Sequence, residues 1–335
     1  MARLVKKFGG TSIGDADRIG NAAAKVAEAV AAGDEVVVVV SAMGGMTAEL
    51  AARCDKVTDA PDPAERDAVL AAGEQITAGL FSMALQALDI PSRSWTGWQL
   101  PVRTAGKHGA ATIDGIDCKA VEQELAAGGV PVITGFQGLG RDGRITTLGR
   151  GGSDLTAVAI AAAIKAERCD IYTDVPGVYT ADPNMVPGAR KLARVSYGEM
   201  LEMASMGARV LQPRAVELAA RESVTVRVLS SFDRQPGTLL SAAPGNDSGP
   251  TVRGIACAED MSSLALIGAG LGADPAIRRI LMDTLASEGI SAEVGAESDV
   301  KIVAQVPPEA IRSAVRALHS VFGLESVPHT KNQGA

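Results

Sequence analysis

Apolar residues recur along the chain in two rhythms, short unbroken runs and longer stretches where they return every third or fourth position. Residues 35–40 (EVVVVV) hold a run of the first kind and 3–7 (RLVKK) read as another short strand; between them Ile19, Ala22, Ala23, Val26 and Val30 mark residues 15–32 as a helix that Gly33 ends. Each run opens into a glycine and serine loop, FGGTS at 8–12 and SAMGGMT at 41–47, and each loop leads toward a helix. Residues 58–67, acidic and carrying Pro61 and Pro63, read as an exposed connection, and 69–88 as a helix. A strand with an irregular exit is expected at 92–103, a polar loop at 105–117, a helix at 118–127 and a buried strand at 130–136. Residues 138–143 match GxGxxG, but the strand-like run 144–147 follows, so the spacing predicts a hairpin turn and not a dinucleotide fingerprint.

A third glycine loop, 149–152, opens an Ala- and Ile-rich helix over 156–165 and a strand at 170–173. Turn-rich 175–183, helices at 196–206 and 213–220, and strands at 224–229 and 239–240 complete the unit. Residues 241–250 (SAAPGNDSGP) have linker composition. Beyond them come strands at 252–256 and 263–267, a helix at 276–287, strands at 291–294 and 301–305, a helix at 309–321, and 324–327 as candidate for a last strand. That order is a ferredoxin-like α+β module. The expected division is therefore 1–240, a linker over 241–250, and a second domain over 251–330.

Composition sharpens this picture. Hydrophobic residues make up 47% of 335, yet aromatics only 3%, so the core is aliphatic and suits helices packed on a parallel sheet. The net charge is −7 without a long basic tract, which argues against a nucleic-acid partner. Cys54, Cys118, Cys169 and Cys257 lack CxxC spacing and read as reduced thiols; His108, His319 and His329 offer little for histidine-centred metal or triad chemistry. The chain enters a strand at residue 3 and has no apolar run of the roughly 20 residues a membrane helix needs, so a cytoplasmic protein without membrane contact is expected.

The chemistry gathers at 148–154 (LGRGGSD). Glycines let backbone N–H groups turn toward an anion, Ser153 or Asp154 can cap the following helix, and Arg150 can grip a carboxylate bidentately. By itself such a loop could also merely turn the chain.

KFGGTS at 7–12, TTLGRGGSD at 146–154 and YTDVPGVYTADP at 172–183, in that order, resemble the aspartate kinases of the amino-acid kinase family. Supporting blocks lie at 41–47, 73–74, 135–138, 207–217 and 230–240. The resemblance implies a three-layer α/β fold with a mainly parallel central sheet, followed by an ACT-type regulatory module. It also implies transfer of the γ-phosphoryl of ATP, with Mg²⁺ held mainly through the phosphates, to the side-chain carboxylate of L-aspartate. That nucleophile is ionised at neutral pH, so no general base is required. No protein metal ligands are implied, and a homodimer or higher homo-oligomer is expected.

Residue by residue, the resemblance makes Lys7 and Asp154 catalytic, Lys7 offsetting charge on the transferring group and Asp154 organising it. Arg150 would take the α-carboxylate of aspartate and Glu74 its ammonium group. Ser41, Thr47 and Ser153 are small hydrogen-bonders beside substrate or phosphate, or helix caps, and Phe136 packs beside substrate or in the core. Gly9, Gly10 and Gly45 would offer backbone to phosphate oxygens, with Thr173, Asp174, Tyr179, Asp182 and Arg209 binding the nucleotide. Ala48, Asn184 and Gln212 stand where such kinases commonly carry Asn, Arg and His. Relatives usually carry two ACT units, and here there is room for one, whose Asp274-Pro275-Ala276 lacks the usual glycine. Weak or absent feedback by lysine or threonine is the expectation. Two alternatives remain at this stage: a related kinase with another acid substrate, and a non-catalytic regulatory subunit.

Overall fold

The computed structural model describes residues 1–208, 210–242, 252–257 and 262–325. Contacts divide the chain into two compact units, residues 1–176 with 211–242, and residues 177–210 with 243–335. In chain order the elements begin β1 (Arg3–Phe8), α1 (Ala16–Ala31), β2 (Glu35–Val40), α2 (Met46–Val57), α3 (Pro63–Gln86), β3 (Ser92–Trp95), β4 (Val102–Ala105) and β5 (Thr112–Ile116). They continue α4 (Lys119–Ala126), β6 (Val130–Thr134), β7 (Gln137–Leu139), β8 (Ile145–Thr147), α5 (Gly152–Ala163), β9 (Arg168–Thr173), β10 (Arg194–Ser196) and α6 (Tyr197–Ser205). The rest are α7 (Pro213–Arg221), β11 (Val226–Ser230), β12 (Thr238–Ser241), β13 (Val252–Cys257), β14 (Ser263–Gly268), α8 (Pro275–Ser287), β15 (Glu293–Ser298), β16 (Lys301–Gln305) and α9 (Ile311–Val321).

The first unit is built on a sheet in the order β12-β11-β9-β1-β2-β6-β3, parallel throughout except where β12 runs against β11. β-branched side chains fill both its faces, and all five valines of β2 are buried. On one face Phe8, Val36, Val38 and Val40 meet Ile19 and Val26 of α1 and Phe81 and Leu85 of α3. The other face is covered by α5, which packs on β1 and on α7. Three layers result, as the hydrophobic pattern predicts. A smaller sheet, β5-β4-β7-β8, sits alongside in the same unit.

Several elements depart from expectation. The stretch expected to be one strand over 92–103 is two, β3 and β4, in different sheets. The polar loop expected at 105–117 contains β5, a partly exposed strand paired antiparallel to β4, whose lack of a buried face erases the alternation by which strands are recognised. α3 begins at Pro63, inside the expected connection; Asp62 caps it by accepting from Ala64 N–H and Glu65 N–H, and proline suits the first turn. This 24-residue helix is long and apolar enough to cross a membrane, contrary to the expectation from apolar run length, yet it buries Asp67, Glu74, Thr77 and Ser82 within the unit. β7 and β8 form the expected hairpin around 138–143.

The second unit carries the sheet β13-β14-β16-β15, antiparallel throughout, with α8 and α9 packed on it. Residues 177–210 depart from the continuous division at 240, because Ala181, Met185, Val186 and Ala189 join the core of Leu264, Leu281 and Leu318. Buried Thr180 ties them further: its hydroxyl donates to Leu324 O at 3.1 Å, accepts from Arg190 N–H at 2.9 Å and lies 2.9 Å from His319 Nε2. The linker expected at 241–250 lies outside the described residues from 243 onward, and the candidate strand at 324–327 from 326 onward.

Candidate active site

Parallel strands deliver their carboxyl ends to one edge, where open α/β sheets bind ligands. At β1, alternation sends adjacent lysines to opposite faces. Lys6 turns toward α1 and donates to Tyr172 Oη at 3.1 Å and Lys25 O at 3.3 Å. Lys7 turns toward α5, where its Nζ lies 2.6 Å from Asp154 Oδ1, in charge contact but off the hydrogen-bond direction. Both members of that pair are buried.

Three bare-backbone loops surround the pair. After β1, Gly9 N–H donates to Tyr172 O at 3.2 Å. Gly10 packs so tightly on the loop after β2 that a Cβ would stand 2.7 Å from Ala42 O, and Gly44 N–H donates to Gly10 O at 3.1 Å. Gly45, at φ +83°, turns the chain into α2, as glycine does without steric cost. Gly151, at φ +70°, does the same into α5, whose first turn presents Ser153 and Asp154. A Cβ on Gly151 would overlap the side chain of Gln212. The N-terminal end of a helix, with its unspent donors, thus faces the ammonium of Lys7.

Glu74 projects from α3 into the same region. Its Oε1 accepts from Ala42 N–H at 2.9 Å, while the buried Oε2 has no hydrogen-bond partner among the described residues. Burial is the main reason its pKa rises to about 7, opposed by backbone hydrogen bonds and by the charge of Lys7. An unsatisfied buried carboxylate oxygen calls for a cationic or N–H donor.

Phe136 follows β6 at φ +68°, a rare conformation for a bulky residue. Its N–H donates to Thr156 Oγ1 at 3.2 Å and its carbonyl accepts from Leu148 N–H at 2.8 Å, so it is wedged between the strand end and α5. Ser41 is half-buried and begins the loop after β2, and Thr47 is exposed in the first turn of α2. Arg150 is exposed and has no hydrogen-bond or ion-pair partner among the described residues. Thr173 ends β9, with Asp174 beyond it, beside β1 at the same edge; Thr173 Oγ1 donates to Asp174 Oδ1 at 3.1 Å. Tyr179 and Asp182 belong to the second unit, where Tyr179 bridges to Lys191 and Asp182 accepts from Asn184 N–H. Arg209 lies outside the described residues.

Sequence reasoning missed Asp67, His108 and Arg214, which hold the loops leading to Arg150. The signal for Asp67 was its spacing from Glu74, seven residues and so two helical turns. Among the described residues no group of three His, Cys, Asp or Glu side chains converges as metal ligands.

A sequence model described as the amino acid kinase family matches residues 2–230. Aspartokinase 2 of Bacillus subtilis (strain 168) is 46% identical over 294 residues, 88% of this chain and 72% of its own length. The aspartokinase of Pseudomonas aeruginosa is 49% identical over 270 residues, 80% of this chain and 66% of its own, so the chain spans just under two thirds of that relative. Among solved structures, E. coli aspartokinase III in complex with aspartate and ADP, in its R-state, superposes with a TM-score of 0.80 at 25% identity, covering 95% of this chain and 99% of that one.

Proposed function

This chain belongs to the amino acid kinase family, and from that premise we propose that it is an aspartate kinase, moving the γ-phosphoryl group of ATP to the side-chain carboxylate of L-aspartate to give 4-phospho-L-aspartate and ADP. The observation that carries the reading is the buried Glu74 with one unpartnered oxygen beside the Lys7–Asp154 pair. An amino acid's ammonium group satisfies Glu74 and its α-carboxylate suits the unpaired guanidinium of Arg150. The side-chain carboxylate is then left to meet the phosphoryl group near Lys7.

Chemistry follows from charge. The acceptor is already anionic, so the site must bring two anions together and offset the charge that spreads over the transferring group. Lys7 supplies one positive charge, held in place by Asp154. The bare backbone at Gly10 and Gly45 and the first turn of α5 with Ser153 supply N–H donors without side chains in the way; the N–H of Gly9, expected to join them, is spent on Tyr172 O, and this glycine instead keeps the space beside Lys7 free of a side chain. Ser41 and Thr47 flank the same loop, Phe136 packs against the first turn of α5, and Thr173 and Asp174 are assigned to the nucleotide; Tyr179 and Asp182, which the resemblance adds, belong to the second unit, and Arg209 lies outside the described residues. Mg²⁺ would neutralise phosphate charge when bound. With no converging set of protein ligands among the described residues, it would ride on the phosphate oxygens, a common mode for this ion.

We further read residues 1–240 as the catalytic region in sequence, although 177–210 pack in the second unit, residues 251–330 as a single ACT-like module, and the protein as a cytoplasmic homo-oligomer. Exposed Ile76, Leu80 and Met83 along α3 support a second copy as partner.

ADP release by the purified chain tests the reading. Turnover should require both L-aspartate and MgATP, and Lys7→Ala should lower kcat by about 10²- to 10³-fold. A folded wild-type chain that is inert would leave the non-catalytic subunit; turnover preferring another acid in a substrate panel would select the related kinase.

A further inference from the structure

The loop that carries Arg150 is held from a distance. α3 places Asp67 two turns before Glu74, so both carboxylates leave one face of the same helix. Asp67 is 1% exposed and accepts four hydrogen bonds. Its Oδ2 takes Thr147 N–H at 2.9 Å, Gly109 N–H at 3.0 Å and His108 Nδ1 at 2.8 Å, and its Oδ1 takes Thr147 Oγ1 at 2.6 Å. Arg214 of α7 closes the other side, donating from Nη1 to Leu148 O at 2.7 Å and from Nη2 to Ala111 O at 2.9 Å.

Thr147 and Leu148 run directly into Gly149, Arg150 and Gly151. Gly149 leans on the 107–111 turn so closely that a Cβ would stand 2.8 Å from Gly109 O. Since the Arg150 side chain has no partner of its own among the described residues, its position is set through this backbone. We propose that Asp67 and Arg214 are positioning residues for the amino-acid substrate, fixing the separation of Arg150 from Glu74 so that one helix gauges both ends of the α-amino-acid group. This rests on the reading of Arg150 and Glu74 given above.

The test compares steady-state kinetics of wild type, Asp67→Ala, Asp67→Asn and Arg214→Met. Asp67→Ala and Arg214→Met should each raise KM for aspartate at least about tenfold while KM for ATP stays within about twofold. Asp67→Asn should stay within about threefold of wild type, because the amide oxygen keeps the N–H donors and the Thr147 hydroxyl can reverse to accept from the amide. An unchanged KM for aspartate, or an equal rise in both KM values, overturns the proposal. Should Asp67→Ala lose its cooperative melt, Arg214→Met and Asp67→Asn decide by the same criteria.

A wild-type chain without aspartate-dependent ADP release defeats the functional reading and leaves the proposal to hydrogen exchange. Arg214→Met should then speed exchange of the 148–152 amides and leave β1 and β2 as in wild type; no change there overturns it.

Discussion

Glu74 holds one oxygen against Ala42 N–H and leaves the other unpartnered in a buried setting, with a pKa lifted to about 7. The sign of the consequence is definite. A carboxyl whose folded-state pKa lies above its unfolded value binds more protons when folded, so stability without ligand falls as pH rises from about 4.5 to 7 and then levels off. The span corresponds to a loss on the order of 3 kcal/mol. Aspartate binding has the opposite trend, because only ionised Glu74 pairs with an ammonium group. KM for aspartate should therefore fall as pH is raised from 6 to 8 while KM for ATP stays flat, and binding should release a proton. Calorimetry in buffers of different ionisation enthalpy measures that release, and Glu74→Gln should abolish it along with the pH trend. A pH-independent KM for aspartate in wild type would remove Glu74 from the substrate site. Lys7, the glycines and Asp154 were legible at this scale because their chemistry sits in contiguous motifs. Asp67 and Arg214 were not, since their main-chain partners lie 42 to 103 residues away in sequence and carry no residue signature.

Among elements, legibility followed burial. β2 and α1 declare themselves because one is five valines in a row after Glu35 and the other is apolar on a single face. β5 (TIDGI) is partly exposed and has no buried position, so nothing in its pattern separates it from a loop, and α3 is apolar on too many sides for its true start at Pro63 to stand out. The same local reading carries a prediction at α8. Its first residue, Pro275, has no N–H; Asp274 accepts from Ala276 N–H at 2.9 Å, and Ile277 N–H donates to Asp274 O at 3.2 Å. The opening donors of this helix, which elsewhere attract carboxylates, are spent on the chain itself. Titration calorimetry with L-lysine or L-threonine should give no saturable heat up to about 1 mM. Low-micromolar binding of either would show that the Asp274 cap yields to a ligand.

For the whole molecule, the order of residues and the order of packing part company at 177–210. Linker composition puts a boundary at 241–250, and the family match runs to residue 230, so a chain ending at 242 looks self-sufficient on paper. In the structure that chain would keep 177–210 but lose most of what the segment packs on. Ala181, Met185, Val186 and Ala189 would lose Leu264, Leu281 and Leu318, Thr180 would lose His319, and Glu202 would lose Lys301, whose Nζ lies 2.6 Å away. Each large apolar side chain so uncovered gives up about 1.5–3 kcal/mol of burial, and Tyr179 and Asp182 lie in the segment that loses its support. Residues 1–242 expressed alone should therefore aggregate, or bind ATP at least about tenfold more weakly than the full chain when kept soluble, a difference of about 1.4 kcal/mol. Light scattering and nucleotide titration measure both. A soluble 1–242 chain with a cooperative melt and full ATP affinity would mean that 177–210 finds its conformation on the first unit alone. The second unit would then be an attachment to the first rather than what shapes residues 177–210.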